Sequence, residues 1–229
     1  FEYYAFVADS SAGLKIIDLR GNPTLVGSYT NCDVVKGVTT AGNGAVGYYA
    51  FLADGTNGLQ VINVSNPSAP TRNGGCALTN GFAEGNAVAG KYAYVAMGSA
   101  GLRVVDVSDP HNPLRRGLYD TTGYAKAVAV SGNYAYVADG NWGLQVIDVS
   151  NPDSPARVGG LDTGGYAEGV AVSGNYAYVA DSDGGLQVLD VSTPANPVLQ
   201  GSYLTGDWAA KVVVAGTLAY VAAGARLEI

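Results

Sequence analysis

The stretch from Tyr124 to Asp162, YAKAVAVSGNYAYVADGNWGLQVIDVSNPDSPARVGGLD, returns almost letter for letter from Tyr166 as YAEGVAVSGNYAYVADSDGGLQVLDVSTPANPVLQGSYL. The residue opening the YAYVAD phrase can be followed along the chain as Tyr4, Tyr49, Tyr92, Tyr134, Tyr176 and Leu218, at offsets of 45, 43, 42, 42 and 42. A second phrase trails each copy, from GLKIID at Gly13 to GLQVLD at Gly185, and ends as the clipped RLEI at Arg226. A fixed period in the low forties, built from short β-prone runs and turn signals, restricts the chain to propeller blades or a solenoid.

One unit reads as four strands: A over 125–130, B over 134–138, C over 144–149 and D over 156–161. Ser131-Gly132-Asn133 breaks A from B, since Gly and Asn tolerate positive φ. The two prolines of SNPDSP stop strand C, because proline cannot donate to a ladder. Strand A is built from Ala, Val and Gly, which suits crowded strands near an axis. In strand C, Leu144 and Val146 point one way and Ile147 and Val149 the other, so both faces must be buried. Copies of one sheet stacked radially bury both faces, and no window carries sustained helical periodicity.

YVAD, then GLQVIDVSNP, then PxxxGxY together resemble the LVIVD-repeat proteins, a bacterial and archaeal group that is mostly secreted or on the cell surface. The resemblance covers nearly the whole chain. It implies an all-β propeller of four-stranded antiparallel blades in an extracellular or cell-surface setting, and it implies little about activity. The GH and WD marks of WD40 repeats are missing.

The 229 residues form a single domain by this reading, with no linker between units. A partial first unit covers 1–30 and starts in strand B as EYYAFVAD. Full units cover about 34–78, 82–120, 124–162 and 166–204, and a partial last unit covers 208–229. Six blades are preferred; five, with the last strand A docked on the N-terminal set, or an excerpt of a longer ring, are the alternatives. Apolar residues make up 48%, with 33 Gly and 16 Tyr, a core-forming and turn-rich composition. The net charge of −7 repels polyanions, so nucleic acid is not expected as a partner. The longest apolar run, 212–223, is too short to span a membrane. Cys32 and Cys76 fall near successive D-to-A connections, either as one disulfide between blades or as two thiols, with Cys76 aligned to Leu118 in place of a core residue.

Strand direction puts the D-to-A and B-to-C connections on one face, where propellers usually hold ligands. Strand A is entered there by Val34, Phe82, Tyr124, Tyr166 and Trp208, and Trp142 lies in a B-to-C loop on the same side. Phe82, Tyr124, Tyr166, Trp208 and Trp142 are the candidate ligand-binding residues, since flat aromatic faces with polar edges suit sugar rings. Two residues into strand A come Lys36, Glu84, Lys126 and Glu168, with Ala210 in the last copy. Alternating charges around a narrow ring attract, so salt bridges plugging a channel mouth are the preferred reading. The Asp closing YVAD, at Asp9, Asp54, Asp139 and Asp181, is expected to bond its own loop backbone. Asp181 with Asp183 looks slightly like the start of a calcium loop, but the other ligands are missing, so no cofactor is expected and calcium is a minor alternative. Asp18, Asn63, Asp106, Asp148 and Asp190 are expected to shape the C-to-D turn.

Catalysis lacks parts. The only histidine, His111, sits in the proline loop DPHNP on the opposite face. There is no nucleophile elbow, no metal-spaced His or Cys cluster and no phosphate loop. The expected function is a non-catalytic binding or scaffold module acting on protein or glycan. The alternatives are a propeller hydrolase or lyase on a sugar or lactone, and a structural repeat of a surface layer or filament, self-associating through the edges of incomplete blades.

Overall fold

A computed structural model describes residues 3–43 and 47–229. Phe1 and Glu2, read above as part of the first strand B, lie outside the described residues. The described residues form twenty-two strands in six antiparallel sheets. The first sheet holds β1 (Tyr4–Ala8), β2 (Leu14–Asp18) and β3 (Thr24–Tyr29). The second holds β4 (Val35–Asn43), β5 (Gly47–Asp54), β6 (Leu59–Asn63) and β7 (Thr71–Cys76). The third holds β8 (Gly85–Ala89), β9 (Tyr92–Ala96), β10 (Leu102–Asp106) and β11 (Leu114–Tyr119). The fourth holds β12 (Ala127–Ser131), β13 (Tyr134–Ala138), β14 (Leu144–Asp148) and β15 (Ala156–Leu161). The fifth holds β16 (Gly169–Ser173), β17 (Tyr176–Ala180), β18 (Leu186–Asp190) and β19 (Val198–Tyr203). The sixth holds β20 (Ala209–Ala215), β21 (Leu218–Ala223) and β22 (Arg226–Glu228).

This is an all-β fold of the propeller class with six blades. The five-blade alternative is set aside, because β20 pairs with β21 in its own sheet and leaves the first sheet three-stranded. The chain divides into two compact units, Phe1–Val95 with Val104–Arg116, and Ala96–Arg103 with Gly117–Ile229, so the boundary runs through the third blade. Among the described residues no helix is long and apolar enough to cross a membrane.

The cores follow from double-faced burial. Leu144, Val146 and Ile147 are fully buried and Val149 nearly so, as the alternation requires. In the second unit Tyr136, Val146, Val179, Leu189 and Val191 form one cluster. In the first unit Leu14, Ile16, Val35, Leu52 and Ile62 form another. Burying one such side chain contributes roughly 1.5–3 kcal/mol.

Three boundaries differ from the sequence reading, the first being the end of strand A in the fourth blade, which runs on to Ser131 by pairing with Tyr134. Strand A of the fourth blade starts at Ala127, not Ala125, because Ala125 exchanges both backbone hydrogen bonds with Gly98 of the preceding blade. Strand C ends at Asp148, not Val149, since the Val149 amide turns to the carbonyl of Asn133 and closes the unit; Leu19 does the same to Tyr3, so β2 ends at Asp18.

Each strand D slips register once, between Val146 and Ile147 of its partner in the fourth blade and at the matching place in the first, second and fifth. The glycine beside this bulge has no room for a side chain. A Cβ at Gly27, Gly74, Gly117 or Gly159 would lie within 2.8 Å of a carbonyl oxygen in the proline loop of the following blade. At Gly117 the contact is also a hydrogen bond, its amide donating to the Pro152 carbonyl at 2.8 Å. Outer strands are thus latched to the next blade's loop inside each unit.

Candidate functional site

The B-to-C loop of one blade and the start of strand A in the next are joined by a two-residue bridge, repeated as Ser10–Val35, Gly55–Ala83, Gly98–Ala125, Gly140–Ala167 and Ser182–Ala209. The first partner of each bridge is held at positive φ, between 48° and 57°. Where that residue is glycine, the aromatic ring at the start of the next strand A lies directly on its backbone. A Cβ would fall 2.7 Å from the Phe82 ring at Gly55, 2.7 Å from the Tyr124 ring at Gly98 and 3.0 Å from the Tyr166 ring at Gly140. Where it is serine, the following residue is Val34 or Trp208. Phe82, Tyr124 and Tyr166 are accordingly half-buried, whereas Trp208 stands 65% exposed. Trp142 is 50% exposed, and its ring edge would meet a Cβ at Gly123, in the adjacent D-to-A connection, at 2.8 Å.

The charged residues pair within each unit. In the first, Lys36 Nζ donates to both carboxylate oxygens of Glu84, at 2.8 and 3.1 Å, and sits 4.9 Å from the Phe82 ring centre. Glu84 is 4% exposed. In the second, Lys126 Nζ lies 3.2 Å from Glu168 Oε2, and 5.5 and 5.8 Å from the ring centres of Tyr124 and Tyr166. Each lysine therefore faces a carboxylate and at least one π-face, so its ammonium is held by two kinds of contact.

Beneath this layer lie the buried carboxylates Asp54, Asp139 and Asp181. Their partners correct the expectation that each bonds its own loop backbone. Asp139 accepts from Thr121 Oγ1 at 2.6 Å and the Gly123 amide at 3.0 Å; Asp181 accepts from Thr163 Oγ1 at 2.5 Å and the Gly165 amide at 3.1 Å. Asp54 accepts from the Asp33 amide and from Asn57 Nδ2. The D-to-A connection supplies the donors that these buried carboxylates need. Burial pushes the Asp139 and Asp181 carboxyls above the ordinary range despite these hydrogen bonds. Thr121 and Thr163 were not singled out from the sequence; a threonine 18 residues before each aspartate was the available signal.

Asp181 thus has both oxygens engaged by protein donors, and Asp183 is exposed. Among the described residues no group of three or more His, Cys, Asp or Glu is placed to hold a metal ion. His111 is exposed, its amide bonded to Asp109. The strand-C residues do shape the turn: Asn63, Asp106, Asp148 and Asp190 each accept from the amide two residues on, at 2.8–3.0 Å. Asp18 binds Arg20 through backbone and guanidinium, and those hydrogen bonds pull its carboxyl down to about 2.

The disulfide is not formed: Cys32 and Cys76 are both free thiols. Cys32 leans on the Tyr29 carbonyl in the first core, while Cys76 closes β7 opposite Leu59. The same register places Tyr29 opposite Leu14 and Leu161 opposite Leu144. Cys76 therefore matches Tyr119 in the third blade and not Leu118, since both close six-residue strands, β7 and β11.

Two solved structures share this architecture. One is the crystal structure of the computationally designed Ika8 protein, with a TM-score of 0.69 over 96% of this chain and 10% identity. The chain spans 65% of that protein's length. The other is a functionally unknown protein from Desulfotomaculum acetoxidans DSM 771, with a TM-score of 0.78, 14% identity, and coverage of 96% of this chain and 72% of that one. Likeness at such identities is a likeness of fold, and with the six sheets it defines a β-propeller protein. The LVIVD repeat matches residues 1–31, 44–77, 80–121, 122–163 and 164–205. The chain belongs to the LVIVD-repeat family. No curated protein matches it.

Proposed function

We propose that this protein is a non-catalytic binding module, acting outside the cell or on its surface, that holds a protein or glycan on the loop face of its second unit. The observation that carries this reading is the pair of exposed indoles, Trp142 and Trp208, beside Tyr124 and Tyr166. Exposed tryptophans are costly in water and are the residues on which sugar rings and partner side chains stack. The lysine-paired Glu84 and Glu168 support binding over acid–base chemistry, because a carboxylate held by an ammonium is a poor proton shuttle. The net charge of −7 supports a partner other than nucleic acid, and the reading requires no cofactor. The extracellular setting rests on the family resemblance.

Glycan-array and partner-capture binding, compared between the wild-type chain and a Trp208→Ala/Tyr166→Ala variant, tests it. Loss of signal in the variant is expected; equal signal would remove this face as the binding surface.

Self-association is a second reading, favoured by one observation. All of β19 is exposed, including Val198 and Leu199, and Gly201 has nothing within 4 Å, unlike its four latched counterparts. An uncovered apolar strand recruits others. A mass by light scattering that rises with concentration, and falls in Leu199→Lys, is the expected result.

A further inference from the structure

The repeat is most regular in the fourth and fifth blades. On the opposite face the A-to-B turn becomes Ala215-Gly216-Thr217 in the sixth blade, and the repeat departs from itself at two neighbouring places in the second and third. In the fourth and fifth blades the A-to-B turn is Ser-Gly-Asn, and the Asn133 or Asn175 carbonyl accepts the amide that closes strand C. In the third blade the equivalent turn is Ala89-Gly90-Lys91, with Lys91 accepting from Val107 at 2.8 Å, so a cation replaces the asparagine. In the second blade the hairpin runs on: Ala41 pairs with Tyr49, where the fourth blade stops at Ser131–Tyr134, and Gly42–Tyr48 and Asn43–Gly47 follow. Insertions confined to one face of a repeat protein commonly mark a binding surface.

Both departures meet at one cavity, within the first unit, of about 330 Å³. Tyr49, Phe51, Val88, Val107 and Pro110 make its apolar wall, and Lys91 joins it as the cation. The counterparts of Tyr49, Val88 and Val107 in the fourth and fifth blades are Tyr134, Val172 and Val191. There they belong to one packed apolar cluster.

The chemistry of the rim limits the ligand. Lys91 brings a point charge, 5.3 Å from the Tyr92 ring centre. The Ser108 hydroxyl is already donated to Asp106 at 2.6 Å, and that bond, helped by the Lys91 charge, holds the Asp106 carboxyl below its usual range. One ammonium near a carboxylate matches a monoanion; a phosphate would need several donors. A cavity of this volume lies at the small end of ligand pockets. We propose that this cavity binds a small organic acid, its carboxylate on Lys91 and its apolar or aromatic body against Tyr49, Phe51, Val88 and Pro110. The site is independent of the loop face described above.

Calorimetric titration of the 229-residue chain with phenylacetate, indole-3-acetate and hexanoate, and with the neutral phenylacetamide, tests the assignment. At least one acid binds in the millimolar range or tighter. Lys91→Asn, which restores the residue of the regular blades, weakens that acid about tenfold or more, the loss of one charge-assisted hydrogen bond. Phenylacetamide is weaker than phenylacetate by a similar factor. Val88→Phe, which fills the cavity, abolishes binding while circular dichroism stays native. If Val88→Phe does not fold, Lys91→Asn and the amide decide alone. Absence of binding by all three acids overturns the proposal, as does binding that either folded variant leaves unchanged.

Discussion

Exchanging the residue at the bridge between blades changes how the next aromatic ring is held, and the size of the effect can be worked out. Gly140 has φ +57° and carries the Tyr166 ring on its backbone; Ser182, at φ +53°, holds the matching position, and Trp208 after it is exposed. Gly140→Ser places a Cβ in left-handed backbone, at a cost of about 1–2 kcal/mol. That Cβ would lie 3.0 Å from the Tyr166 ring, so the ring must move off, away from Lys126, which loses a further ~0.5–1 kcal/mol of cation–π attraction. The sum is about 1.5–3 kcal/mol, or a fall in melting temperature of roughly 3–12 °C for a chain of this size. The reverse change, Ser182→Gly, relieves about 1 kcal/mol and opens the backbone to the Trp208 indole. Because the chain has only two tryptophans, Trp142→Phe isolates Trp208 as a fluorescence probe. Ser182→Gly in that background is expected to raise the melting temperature, blue-shift the emission and weaken binding on the loop face. A melting temperature lowered by Ser182→Gly, or unmoved by Gly140→Ser, would falsify the account.

Lys36→Met removes the ion pair between Lys36 and the buried Glu84 and is expected to destabilise by about 2 kcal/mol, below the full cost of a broken buried pair because Lys36 is 39% exposed. Lys36→Met/Glu84→Leu should recover most of that loss in urea melts, and no recovery would show that the pair is not what holds Glu84. The Asp139 and Asp181 carboxyls have folded pKa values raised above the usual 3.8, so their contribution to stability is full below that pH and is lost as pH rises through the raised values. The stability of wild type minus that of Asp139→Asn/Asp181→Asn should therefore decline as pH is raised from about 4 to 7; a difference that grows with pH contradicts the assignment. Burial, and secondarily the Asp54 charge, push the Cys32 thiol up to about 11, and burial raises Cys76 as well. Iodoacetamide at pH near 8 is expected to label the native chain slowly and the denatured, unreduced chain twice; a denatured chain taking no label would mean a disulfide.

Much of the architecture was legible in the letters because each strand is repeated. The spans of β13 and β15 coincide with the sequence reading, since YAYVA and ARVGGL sit between strong turn signals. The start of β12 was not legible: Ala125 looks like strand, but its backbone groups are spent on the bridge to Gly98, a tertiary contact. The Lys36–Glu84 and Lys126–Glu168 pairs followed from period and charge alone. The aspartate partners did not, because hydrogen bonds from Thr121 and Thr163 cross between loops. Nor did the difference between Tyr166 and Trp208, which depends on whether a left-handed residue one blade earlier carries a Cβ. Cys76 was placed one residue out because TRNGGC and LRRGLY share little but one glycine, and only the strand ends bring Cys76 to Tyr119.

The latch at Gly74, Gly117 and Gly159 bears on how such a chain can grow. Every inner unit carries both halves, a proline loop for the unit before it and a bare glycine for the unit after. A duplicated segment spliced between two others would arrive with both couplings already made, and would need no new complementary surface. Lengthening by whole units is thus open to this protein, whereas a side chain at one of these glycines would break that latch and leave the two blades joined by their bridge and core alone.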